Sequence, residues 1–147
     1  MKKIKLFFEH LPLTTLIIFI YIFIINYLNF YYIAGILFFG WLIDCDHLVD
    51  YFYFLIKNKK KPSIEKFLTG SYFKENNLVI IPGHSIELSV FIFFLGLIFD
   101  NIGLLFISIA HFLHLMQDLY YNKVNFFGYS LIFRIKNKFL LSMICKN

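Results

Sequence analysis

Residues 11–43 read LPLTTLIIFIYIFIINYLNFYYIAGILFFGWLI and contain no charged side chain. The run is too long for a single crossing of a hydrocarbon layer roughly 30 Å thick; it fits a first span, a tight turn and half of a second span. Immediately after it comes Asp44-Cys45-Asp46-His47-Leu48-Val49-Asp50, three acids and an imidazole in an otherwise apolar segment. The first part calls for a bilayer. The second calls for something that makes buried charge tolerable.

Working outward, the whole chain of 147 residues is 60% hydrophobic and 22% aromatic, with a mean hydropathy of +0.73. Soluble globular domains are about 45–50% apolar, so that class is excluded. The pattern predicts an all-α fold, a polytopic bundle of four membrane spans at about 11–27, 31–56, 84–99 and 102–121. Asn26-Tyr27-Leu28-Asn29 and Asp100-Asn101-Ile102-Gly103 supply the short turns. A basic loop, 57–83, separates the two hairpins, and the tail, 122–147, reads as an interfacial amphipathic segment. The start, Met1-Lys2-Lys3-Ile4-Lys5, reads as part of an uncleaved signal anchor.

The fourteen Lys and Arg residues fall at the N-terminus, in the central loop and in the tail, and neither short turn carries one. By the positive-inside rule both termini and the loop face the cytoplasm, which makes this a multi-pass protein of the inner, plasma, membrane. The basic residues are topology markers rather than one patch, so no nucleic-acid partner is expected and membrane lipid is. Cys45 and Cys145 have neither zinc-knuckle spacing nor disulfide density and receive no role.

Five of the nine acidic residues, Asp44, Asp46, Asp50, Glu87 and Asp118, lie in or beside the apolar runs, with His47, His84, His111 and His114 among them. A carboxylate near the middle of a membrane helix costs about 2.5–3.5 kcal/mol, so five would cost roughly 12–17 kcal/mol. The predicted topology places all of these residues in one leaflet. Their facing agrees: His111, His114 and Asp118 follow i, i+3, i+7 spacing on one helical stripe, and His84 and Glu87 are one turn apart. Carboxylates mixed with neutral imidazoles are ligands for Zn²⁺, Mn²⁺ or Fe²⁺. The expected metal ligands are Asp44, Asp46, His47, His84, His111, His114 and Asp118, holding one or two divalent ions, Zn²⁺ first. Glu87 or Asp50, as a carboxylate beside the metal-bound water, is the expected general base. Glu9 and His10 read as interfacial residues at the mouth of the first span.

Gly40-Trp41-Leu42-Ile43-Asp44-Cys45-Asp46-His47, Gly83-His84-Ser85 and His111-Phe112-Leu113-His114-Leu115-Met116-Gln117-Asp118 together resemble the three blocks of a family of inner-membrane, metal-dependent hydrolase-like proteins, the LexA-regulated hydrolases. That family carries P-D-x-D-H, T-H-S and H-L-x-x-D blocks on successive hydrophobic helices and is distantly similar to zinc-dependent phospholipase C. The resemblance covers roughly 35–122. It implies metal roles for Asp44, Asp46, His47, His84, His114 and Asp118, with Ser85 in the second block. Two positions depart from the pattern: Ile43 stands where the family has Pro, and Leu78 to Gly83 lack the His-Arg pair that precedes T-H-S.

The function expected from the residues is metal-dependent hydrolysis of a phosphoester or lipid-linked ester at the cytoplasmic leaflet. The rival expectations are a cation or proton carrier, whose relay would need polar groups at several depths, and an inactive scaffold that keeps a metal site.

Overall fold

The computed structural model describes residues 10–25, 28–122 and 124–144. Lys2 to Lys5, Glu9, Asn26, Tyr27, Lys123, Cys145 and Lys146 lie outside the described residues. The order of helices is α1 Leu11–Ile25, α2 Phe30–Gly40, a 3₁₀ turn Leu42–Asp46, α3 His47–Asn58, α4 Ile64–Thr69, α5 Ser71–Asn76, α6 Ile86–Ile98, α7 Ile102–Asn122, a 3₁₀ turn Phe126–Tyr129, α8 Leu131–Lys136 and α9 Leu141–Ile144. No strand occurs among the described residues; Leu78 and Leu140 form an isolated antiparallel bridge. The fold is all-helical, as the sequence predicts.

Starts and stops follow local chemistry. Asn29, Ser63, Ser85 and Ser130 each accept a backbone N–H of the helix that follows, satisfying a donor that has no partner inside the helix. Helix α7 is central, packing against α6, α2 and α1. The core between them is Ile17, Tyr21, Ile36, Ile92, Phe106, Ile107 and Ala110. At the turn that joins α6 to α7, Asn101 Nδ2 donates to Tyr32 Oη at 2.6 Å and fixes that end against α2.

Span lengths differ from the sequence reading. By length and composition α7 is long and apolar enough to cross a membrane on its own, at about 31 Å for its 21 residues. The segment expected as one continuous span, 31–56, is two helices, α2 and Leu42–Asn58, bent by 62°. Helices α1 and α6 are apolar but shorter, 15 and 13 residues. Contacts from two other helices meet at the bend. The Gly40 carbonyl accepts the Thr14 hydroxyl at 2.8 Å and lies 3.2 Å from His114 Nδ1, while Trp41 takes φ −139° and ψ −53°. A Cβ at position 40 would lie 2.7 Å from Thr14 Oγ1, so only glycine lets the three helices meet there.

The tail, expected as an interfacial amphipathic segment, packs Val124, Tyr129 and Ile144 against Val79, Ile81 and Leu115 and leaves Phe126, Phe127, Ile132 and Ile135 exposed. Val79 N–H donates to Phe139 O at 2.9 Å and Leu141 N–H to Asn77 O at 3.1 Å, so the tail and the central connection are laced together.

Within that connection, Glu75 receives Lys60 and Lys66, each at 2.6 Å. Burial is slight there and acts the other way; the two ammonium groups hold the carboxyl below its ordinary value of 4.5. A carboxyl depressed in the folded state adds stability above its unfolded pKa and loses it as pH falls through the folded value. Amide exchange measured through α4 and α5 is therefore expected to accelerate, relative to the intrinsic rate, below about pH 4. The same acceleration is expected at neutral pH in roughly 1 M salt, which screens exposed pairs.

Candidate metal centre

The bend between α2 and α3 puts Asp44 and Asp46 on a tight 3₁₀ turn and His47 at the head of α3, and His84 meets Asp44 in one group of donors and Asp46 and His47 in another. A continuous α-helix would have fanned Asp44, Asp46 and His47 over half its circumference. His84 arrives from the Pro82-Gly83-His84 bend just before the Ser85 cap, and His114 and Asp118 from one face of α7.

The inner group is Asp44, His84, His114 and Asp118, whose ligand atoms all lie within 4.8 Å of one another. His84 Nε2 lies 3.1 Å from His114 Nε2, 3.1 Å from Asp44 Oδ1 and 3.4 Å from Asp118 Oδ2. His114 Nε2 lies 3.5 Å from Asp44 Oδ1 and 3.6 Å from Asp118 Oδ2. A tetrahedral ion with bonds of 2.0–2.1 Å requires donor separations of about 3.3–3.4 Å. These five distances bracket that value. A buried His/Asp group of this shape could hold a metal ion.

Outer contacts orient the donors. His114 places Nδ1 3.2 Å from the Gly40 carbonyl, which accepts only if Nδ1 carries the proton, leaving the Nε2 lone pair inward. Asp118 turns Oδ2 inward while Oδ1 accepts Asn122 Nδ2 at 3.1 Å and faces His10 Nε2 at 3.5 Å. His84 has Nδ1 2.9 Å from Asp46 Oδ1, and its backbone N–H donates to Asp46 Oδ2 at 3.2 Å. Asp46, His47 and His84 make a second set of donors within 4.8 Å.

Of the seven expected ligands, His111 does not join. It lies buried with Nδ1 accepting the Ser89 hydroxyl at 2.9 Å and Nε2 donating to the Gly83 carbonyl at 3.0 Å, so both nitrogens are used in joining α6, α7 and the His84 bend. The two expected bases each hold a contact of their own, and neither is among the grouped donors. Glu87 accepts Ser130 Oγ at 2.5 Å, Leu131 N–H at 2.8 Å and Ile132 N–H at 3.2 Å, which makes it the anchor of the tail at the start of α8. Asp50 is buried and accepts Ile80 N–H at 2.7 Å, pinning α3 to the central connection. No family model, curated protein or solved structure matches this chain.

Two residues of the centre were not singled out by sequence. His10 is buried rather than interfacial, 2.9 Å from Gln117 Oε1 through Nδ1, with its ring 4.1 Å from that of His114. Arg134 is fully buried and donates through both terminal nitrogens, to Ile81 O and His84 O, each at 2.7 Å. Burial pulls its pKa below the usual arginine value, while Asp46 and then Glu87 oppose that shift. A signal for Arg134 existed: it is the chain's single arginine among fourteen basic residues. Arginine is the cation suited to a buried fork of two acceptors.

Proposed function

We propose that this chain is a membrane-embedded hydrolase that uses a divalent cation, Zn²⁺ first, held by Asp44, His84, His114 and Asp118. The observation that carries the reading is the set of five donor separations, 3.1–3.6 Å, at the spacing of a tetrahedral ion. The donor set is thiolate-free and asymmetric, unlike a closed structural zinc cluster. A bound divalent ion lowers the pKa of coordinated water toward 7 and polarises a phosphoryl or carbonyl oxygen. The chain's own contribution is orientation: Gly40 O and Asp46 fix the two imidazoles, and Asn122 and His10 fix Asp118.

Multi-pass insertion in the inner membrane, with termini and central connection in the cytoplasm, is supported by the apolar exteriors of α1 and α6. Phe19, Phe23, Phe91, Phe94 and Ile98 are all more than half exposed, an apolar surface that water would not tolerate. The ligands share one end of the bundle beside the lysine-bearing connection, which favours a phosphoester or lipid-linked ester reached from the cytoplasmic leaflet. The family resemblance of the three sequence blocks points the same way.

Metal analysis of detergent-purified protein, followed by a panel of phosphomonoesters, phosphodiesters and phospholipids with and without EDTA, tests the proposal. Stoichiometric metal and EDTA-sensitive turnover are expected. Metal-free protein refractory to Zn²⁺ or Mn²⁺ loading overturns it, and stoichiometric metal with no turnover on any ester favours the scaffold instead.

A further inference from the structure

Helix α6 and the start of the tail enclose a groove of about 530 Å³, within the size range of small-ligand sites. Ile86, Val90 and Phe94 line it in one row along α6 and Glu87 and Phe91 in the next, so it follows the helix axis for about 12 Å. Phe126, Phe127 and Ser130 form the facing wall, with the Phe127 ring stacked on that of Phe133 at 6.0 Å. The lining is almost wholly apolar, and its two polar side chains are already paired. Glu87 accepts the Ser130 hydroxyl and the N–H groups of Leu131 and Ile132, while Ser130 Oγ accepts the Phe133 N–H. Val90, Phe91, Phe94, Phe126 and Phe127 are each 46–60% exposed, so the groove lies open along its side.

We propose that this groove seats an acyl chain of the substrate, which makes that substrate an acylated lipid of the cytoplasmic leaflet rather than a soluble ester. This inference rests on the hydrolase reading of the metal centre and narrows it. A peptide or a sugar would leave polar groups unmatched against such a lining. A second copy of the chain would need about 20–30 residues a side for a stable interface, and eight line the groove. A hydrocarbon chain has no hydrogen bonds to lose there. Position supports the assignment: Glu87 at the near end lies one turn from His84, and Ser130 lies one turn from Arg134, whose guanidinium holds the His84 carbonyl. A chain lying in the groove therefore brings its ester end to the level of the His84 bend. Because bilayer lipid is as apolar as the lining, the groove supplies orientation rather than affinity.

The full chain in phosphatidylcholine vesicles, with a small share of phosphatidic acid that carries a diazirine on one acyl chain, tests this by irradiation and mass-spectrometric mapping. Adducts are expected to concentrate on the groove residues of α6 and the tail and to spare Phe19, Phe23 and Ile98, which are at least as exposed. Val90→Trp, which fills the groove, is expected to lose that labelling while Ile98→Trp keeps it, with circular dichroism and metal content as checks on folding. Val90→Trp is also expected to raise KM for a dodecyl p-nitrophenyl phosphodiester far more than for its methyl analogue. Labelling that follows exposure alone, with Phe23 and Ile98 marked as heavily as the groove, overturns the site even in an active hydrolase. An unlabelled groove in a protein that migrates as a stable dimer also overturns it and gives the face to a second copy. Groove labelling without turnover of any ester keeps the acyl site and overturns the hydrolase reading on which its role as a substrate site rests.

Discussion

His84→Ala is expected to lower metal affinity by more than about 100-fold, because loss of an outer partner of a ligand already costs roughly 10–100-fold and His84 is the hub of the inner group. Its Nε2 touches three other donors within 3.4 Å and its Nδ1 faces Asp46, so no neighbouring group can move into the vacancy without leaving its own place. The backbone contacts of residue 84, its N–H to Asp46 and its carbonyl to Arg134, survive the substitution. The fold is therefore expected to persist while the ion is lost. Metal content and a Zn²⁺ titration of the purified variant, with circular dichroism as the check on folding, measure this. A variant that binds as tightly as the wild type would remove His84 from the ligand set. His111→Ala provides the contrast: its nitrogens serve Ser89 and Gly83, so stability is expected to fall while stoichiometry holds.

Arg134→Met is expected to be the most damaging single change outside the ligands. It leaves the buried carbonyls of Ile81 and His84 without their donor, at about 1–3 kcal/mol each, or roughly 2–6 kcal/mol together. It also removes the cation that faces Asp46 and Glu87. Because one of the two released carbonyls belongs to His84, metal affinity is expected to fall along with stability. Arg134→Lys keeps the charge but offers a point donor in place of a fork, so it is expected to recover only part of the loss. Thermal unfolding of detergent-solubilised protein, with and without saturating Zn²⁺, tests both effects. An unchanged midpoint in the Met variant would show that the tail contributes nothing to the centre.

The sequence made the helical class legible, because uncharged runs and short polar turns leave little choice of secondary structure. It also made all four residues of the inner group legible, because a carboxylate or imidazole in an apolar helix needs a partner wherever it sits. What periodicity could not show was the bend at Gly40 and Trp41. That bend depends on Thr14 and His114 reaching the Gly40 carbonyl from other helices, and no local pattern records it. The same blindness hid the partners of Glu87 and Asp50: helical spacing located their carboxylates but not the Ser130, Leu131 and Ile80 donors that arrive from distant segments. His111 shares a stripe with His114 and Asp118, yet it sits about one turn nearer the start of α7, level with Ser89. The tail was hardest to read, since six-residue helices carry weak periodicity and Arg134 acts alone.

Arg134 lies twelve residues beyond the end of α7. Chains emerge from the ribosome N-terminus first. The guanidinium that steadies the His84 bend is therefore made after every acid and imidazole of the centre. A chain cut short before residue 134 carries all four inner donors and lacks the fork that holds their bend, so such a truncation is expected to bind metal more weakly than the full chain.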